Sequence, residues 1–123
     1  MHLDEYQRKA QESSWHERGS ERKGTIEEVA YNTIALNNEA GEFADIVKKT
    51  MRGDYSINDR NTRKAAALEL GDVLWYLARL ADEMGFSLSQ IAHLNLNKIR
   101  DRKAQREENE EAFRKRYQSE EVA

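Results

Sequence analysis

Between residues 26 and 51 the apolar positions fall at Ile26, Val29 and Ala30, Thr33, Leu36, Ala40, Phe43 and Ala44, Val47 and Met51. That alternation of three and four is the spacing of an amphipathic helix. Its start is marked by Thr25-Ile26-Glu27-Glu28, a capping box in which hydroxyl and carboxylate each satisfy an orphan backbone N–H. Gly53 supplies its stop. Residues 52–61 (RGDYSINDRN) are polar and turn-rich and read as a loop. The next helix begins near residues 58–61, runs through LELGDVLWYLARLADEM and stops at Gly85. Ser87-Leu88-Ser89-Gln90 is a second capping box, opening a fourth helix at Leu88. A shorter helix over about residues 3–13 precedes the others, joined to them by a connection over 14–24 with Gly19 and Gly24 as breakers. The pattern predicts an all-α chain: a bundle of four main helices built around an antiparallel helix hairpin.

The third helix departs from a simple stripe. Leu68, Leu70, Val73, Leu74, Trp75, Tyr76, Leu77, Leu80, Ala81 and Met84 cover most of its circumference. A helix apolar on all sides needs cover on all sides, and three other helices offer little of it. The expectation is a bundle completed by oligomerisation, as a homodimer or homotetramer. After Arg102 the sequence turns to KAQREENEEAFRKRYQSEEVA, with charges of both signs and little to bury. Pairs such as Glu110 with Arg114 would keep it helical, with Phe113 and Tyr117 on one face; otherwise it is a solvated, fraying tail. The chain therefore divides into a domain over 1–102 and a charged helical extension or tail over 103–123.

Composition narrows the function. Proline is absent, so nothing interrupts long helices, and cysteine is absent, which removes disulfides and thiolate metal sites. The net charge of −3 gives no electrostatic case for binding duplex nucleic acid. No apolar run approaches a membrane span, and the opening MHLDEYQRKA lacks a signal-peptide core, so a cytoplasmic protein is expected.

Two short acidic patterns stand out, Glu39-Ala40-Gly41-Glu42 and Glu69-Leu70-Gly71-Asp72. Each places carboxylates at i and i+3, on one helix face. Each also carries a glycine inside a helix, at a cost of about 1 kcal/mol relative to alanine, which suggests a close approach at that slot. In a hairpin around the 52–61 loop both pairs sit at one height, roughly 15 Å from the loop. Glu39 shares its face with Ala35, Phe43 and Ile46, and Glu69 with Ala65, Val73 and Tyr76, at the margin of the core. Two like charges about 4 Å apart repel by about 4 kcal/mol at an effective dielectric near 20, so four acids facing one another would strain a small domain. A divalent cation removes that strain, and an all-oxygen set favours Mg²⁺ or Mn²⁺ over zinc. A di-iron carboxylate bundle would require Glu-x-x-His pairs, and the sequence has none.

In the fourth helix Asn95, Lys98 and Arg102 share a face, where an amide and two cations can meet phosphate oxygens. Trp15, in a polar segment with little else apolar, is a candidate for stacking on a nucleobase.

With those residues in hand, the chain resembles the MazG-like, all-α nucleoside triphosphate pyrophosphohydrolases. The resemblance rests on LNNEAGEFADIVKK, AALELGDVLWYLARLADEMG and LNLNKIRDR, and spans roughly residues 26–102. The ExxE, spacer, ExxD pattern of that family falls on Glu39, Glu42, Glu69 and Asp72. By resemblance these four are the catalytic, Mg²⁺-holding carboxylates, and the reaction is hydrolysis of an NTP or dNTP to monophosphate and pyrophosphate. Asn95 and Lys98 match the N-x-x-K pattern near the phosphates, and the charged tail after Arg102 departs from small members. The alternative is a non-catalytic helical oligomerisation module whose acids only keep it in solution.

Overall fold

A computed structural model describes residues 1–18 and 20–121, with the side chains of 15–20 and 119–123 outside the description. Four α-helices follow in order: α1 (Leu3–Arg18), α2 (Ile26–Arg52), α3 (Arg60–Glu83) and α4 (Leu88–Glu121), with a short 3₁₀ turn at Ser20–Arg22. Among the described residues there is no strand, and no helix is long and apolar enough to cross a membrane. The chain forms two units, Met1–Leu88 and Ser89–Ala123.

In the first unit α2 and α3 form the expected hairpin and α1 lies against α3. The ends follow from local chemistry. Thr25 caps α2, its hydroxyl accepting from the Glu28 N–H at 3.2 Å. Only half of the capping box forms. The Thr25 N–H donates to the Arg22 carbonyl instead, and Glu28 turns inward, fully buried, accepting from Asn32 Nδ2 at 3.5 Å. Its carboxylate acts on the buried Arg79, a stronger demand than one backbone N–H. At the other end of α2, Gly53 adopts φ 94°, which places the Asp54 N–H on the Lys49 carbonyl at 2.9 Å. That left-handed residue turns the chain into the hairpin loop, and a side chain there would be strained. Asp59 caps α3, accepting from the Asn61 N–H and the Thr62 hydroxyl. The first helix continues to Arg18, past its expected end, because residues 14–18 contain no breaker before Gly19.

The interior of this unit is small and unusually polar. Among the described residues the buried apolar ones are Ala10, Ala78, Ala81 and Leu88, whereas Gln7, Ser14, Glu28, Asn32, Thr62 and Arg79 are buried polar ones. Arg79 donates to Asp82 at 2.7 Å. Asp82 in turn accepts from Gln7 Nε2 at 2.7 Å, and the Gln7 carbonyl oxygen accepts the Leu88 N–H at 2.7 Å. One side chain of α1 thus ties the end of α3 to the start of α4. The large apolar residues lie mostly outside: Ile34 is 70% exposed, Leu68 64% and Leu70 50%.

In the second unit α4 runs unbroken through Glu121, so residues 103–121 are helical. Lys103–Glu107, Glu110–Arg114 and Glu111–Lys115 pair at i,i+4, and Phe113 packs on Tyr117 with ring centroids 4.4 Å apart. Each such exposed pair is weak, but several along one helix add up.

Candidate functional site

The hairpin fixes the site. Glu39 projects from α2, and Glu69 and Asp72 from α3, with one carboxylate oxygen of each within 4.8 Å of the others. The helical rise makes this meeting possible: Glu39 lies 14 residues before Gly53, and Asp72 lies 12 residues after Arg60. Both are therefore about 20 Å along their arms from the turn. Glu39 and Glu69 are half-buried at the core margin and Asp72 is exposed. Beside them lies a recess of about 290 Å³ lined by Glu39, Asp72, Trp75 and Tyr76, the two rings meeting edge to face at 4.9 Å.

The electrostatics record the crowding. Burial, and then the charges of Asp72, Glu69 and Glu42, push the Glu39 carboxyl above the usual glutamate range. A carboxylate so placed gains from any cation that enters. Tyr6 of α1 feels one of these acids, its phenol raised by burial and by Asp72. Its hydroxyl therefore remains a hydrogen-bond donor at all ordinary pH values. Nothing in the pattern of the first helix singled Tyr6 out, because its place depends on how α1 packs across α3.

The other candidates fare differently. Glu42 is exposed and adds no oxygen to the close group, although its charge reaches Glu39. Gly41 and Gly71 serve no close approach within this chain: a Cβ at either would meet nothing within 4 Å. Both are exposed among the described residues. Asn95, Lys98 and Arg102 are exposed on one face of α4, in the second unit. Among the described residues neither cation has an ion-pair partner, unlike Lys103, Arg114 and Lys115 further along the helix. The Trp15 side chain lies outside the described residues.

The sequence model of the MazG nucleotide pyrophosphohydrolase domain matches residues 22–107, which takes in α2, α3, the acidic group and more than half of α4. A protein of Mycobacterium phage L5, named Gene 37 protein, is 39% identical over 103 residues, 84% of this chain and 90% of the phage protein. No solved structure matches significantly.

Proposed function

The chain belongs to the family of the MazG nucleotide pyrophosphohydrolase domain, and on that premise we propose that it hydrolyses nucleoside or deoxynucleoside triphosphates to the monophosphate and pyrophosphate. The observation that carries the proposal is the meeting of Glu39, Glu69 and Asp72 within 4.8 Å across the hairpin. Three oxygen donors, a glutamate raised by its neighbours and a chain without cysteine suit a hard divalent cation, Mg²⁺ with Mn²⁺ as substitute. Glu39, Glu69 and Asp72 would hold it, with Glu42 at the edge of the group. When bound, such a cation offsets the charge of the triphosphate and makes water more acidic.

The residues of the chain do the remainder. Glu42, outside the close group, accepts the proton of the attacking water and aims its oxygen at the α-phosphorus. The new P–O bond forms there, the bond to the bridging oxygen breaks, and pyrophosphate leaves with its electron pair. Tyr6, held as a donor beside Asp72, can steady a phosphate oxygen or that water. Asn95, Lys98 and Arg102 receive phosphate oxygens, and Trp15 contributes a substrate contact. Residues 1–102 constitute the catalytic domain and 103–123 its charged extension or tail.

The exposed Ile34, Leu68, Leu70 and Leu96 support assembly into at least a homodimer, the apolar surface of each copy covering that of another. They also favour the second reading, a helical oligomerisation module without catalysis. Substitution separates the two. Glu42→Gln and Asp72→Asn should each abolish turnover in Mg²⁺ while the helical circular dichroism stays intact. No turnover of any triphosphate by the parent protein would leave the module, and hydrolysis at full rate in excess EDTA would overturn the metal dependence.

A further inference from the structure

A second recess opens on the same hairpin, nearer its loop. It measures about 400 Å³ and is lined by Ile46, Tyr55, Asp59, Asn61, Thr62 and Ala65, with mainly carbon walls. Its place relative to the acids follows from helix geometry. Ile46 comes seven residues after Glu39, Ala65 four before Glu69 and Thr62 seven before Glu69. Intervals of four and seven return to the same helix face, so the recess lies on the side of the carboxylates, roughly 6–10 Å along the helices. That is about the reach from the α-phosphorus of a nucleotide, across its ribose, to its base.

We propose that this recess takes the purine or pyrimidine base of the substrate. The inference rests on the nucleotide reading above and gives it a direction: phosphates at the acids, base toward the loop. The two recesses differ as the two ends of a nucleotide differ. The one beside Glu39 and Asp72 carries the charge, and the one beside Ile46 and Ala65 is apolar, with a half-exposed Tyr55 ring to stack on. Polar groups stand at its rim. The Asp59 carboxylate is fixed by the Asn61 N–H and the Thr62 hydroxyl and still has lone pairs for an exocyclic amine. The Asn61 carboxamide makes no hydrogen bond among the described residues, leaving a donor and an acceptor for the edge of a base. A mainly apolar pocket of this size with a few placed polar groups is the usual form of a small-molecule site.

The test is a titration of the ¹⁵N-labelled full chain in Mg²⁺ with AMP, GMP, CMP and UMP, with ribose 5-phosphate as the baseless control. Amide shifts at Ile46, Tyr55, Asn61 and Thr62 should follow a base-bearing ligand and be absent with ribose 5-phosphate. Tyr55→Ala should weaken binding of the preferred monophosphate roughly tenfold, the loss of one base–aromatic stack. Ala65→Trp, which fills the recess from an exposed position, should weaken it at least as much. Shifts near Glu39 and Asp72 with none at the recess would overturn this inference and leave the nucleotide reading standing. Shifts at the recess without turnover of any triphosphate would uphold the base site and overturn the hydrolysis. Shifts that track protein concentration alone would make the recess a contact with a second copy, and the inference would fall.

Discussion

Asp72 acts on two elements at once, raising Glu39 across the hairpin and Tyr6 on α1. It is therefore the residue at which repulsion and ligand binding are most tightly opposed. Asp72→Asn removes one of three crowded charges, so in EDTA the thermal midpoint should rise by a few degrees above that of the parent. The same variant should lose the further rise that Mg²⁺ gives the parent. Scanning fluorimetry with and without Mg²⁺ checks both; a variant that melts lower in EDTA would mean that the acids do not repel. Arg79 is the opposite case. It is fully buried, pulled down by desolvation and held charged by Asp82, Glu83 and Glu28. Arg79→Ala would leave buried acids without their cation, at a cost of about 3–5 kcal/mol in urea unfolding. A loss under 1 kcal/mol would show that water reaches the acids readily.

At the scale of helices, two glycines with opposite roles give a matched comparison. Gly53 has φ 94° and ends α2, whereas Gly41 sits within it with nothing near a new Cβ. Gly53→Ala should destabilise by about 1 kcal/mol and Gly41→Ala stabilise by about as much, read from urea midpoints. If Gly41→Ala also loses activity, the glycine is kept for a ligand and not for the fold. The helices and their order were legible in the sequence because periodicity and caps are local, and the rise per residue brought three of the four expected acids together, leaving Glu42 outside. The inward turn of Glu28, the burial of Arg79, the bridge made by Gln7 and the approach of Tyr6 to Asp72 were not. Each depends on what another helix places opposite, which no local pattern carries. The recess around Tyr55 has no local signature for the same reason, since the loop must close before its walls exist.

For the molecule as a whole, the balance of surface is the governing fact. A unit whose described buried apolar residues are three alanines and Leu88, with Leu68, Leu70 and Ile34 outside, shows little core among the described residues. Light scattering at micromolar concentration should give at least twice the 14.3 kDa of one chain, and a monomer mass would refute assembly.

The most direct test of the central claim follows oxygen. The protein is incubated with a panel of NTPs and dNTPs in Mg²⁺ and H₂¹⁸O, and the products are resolved by ³¹P NMR and mass spectrometry. Water attack at the α-phosphorus predicts monophosphate carrying one ¹⁸O and unlabelled pyrophosphate, with no reaction in EDTA. Label in pyrophosphate, release of diphosphate and orthophosphate, or an intact panel throughout would contradict it.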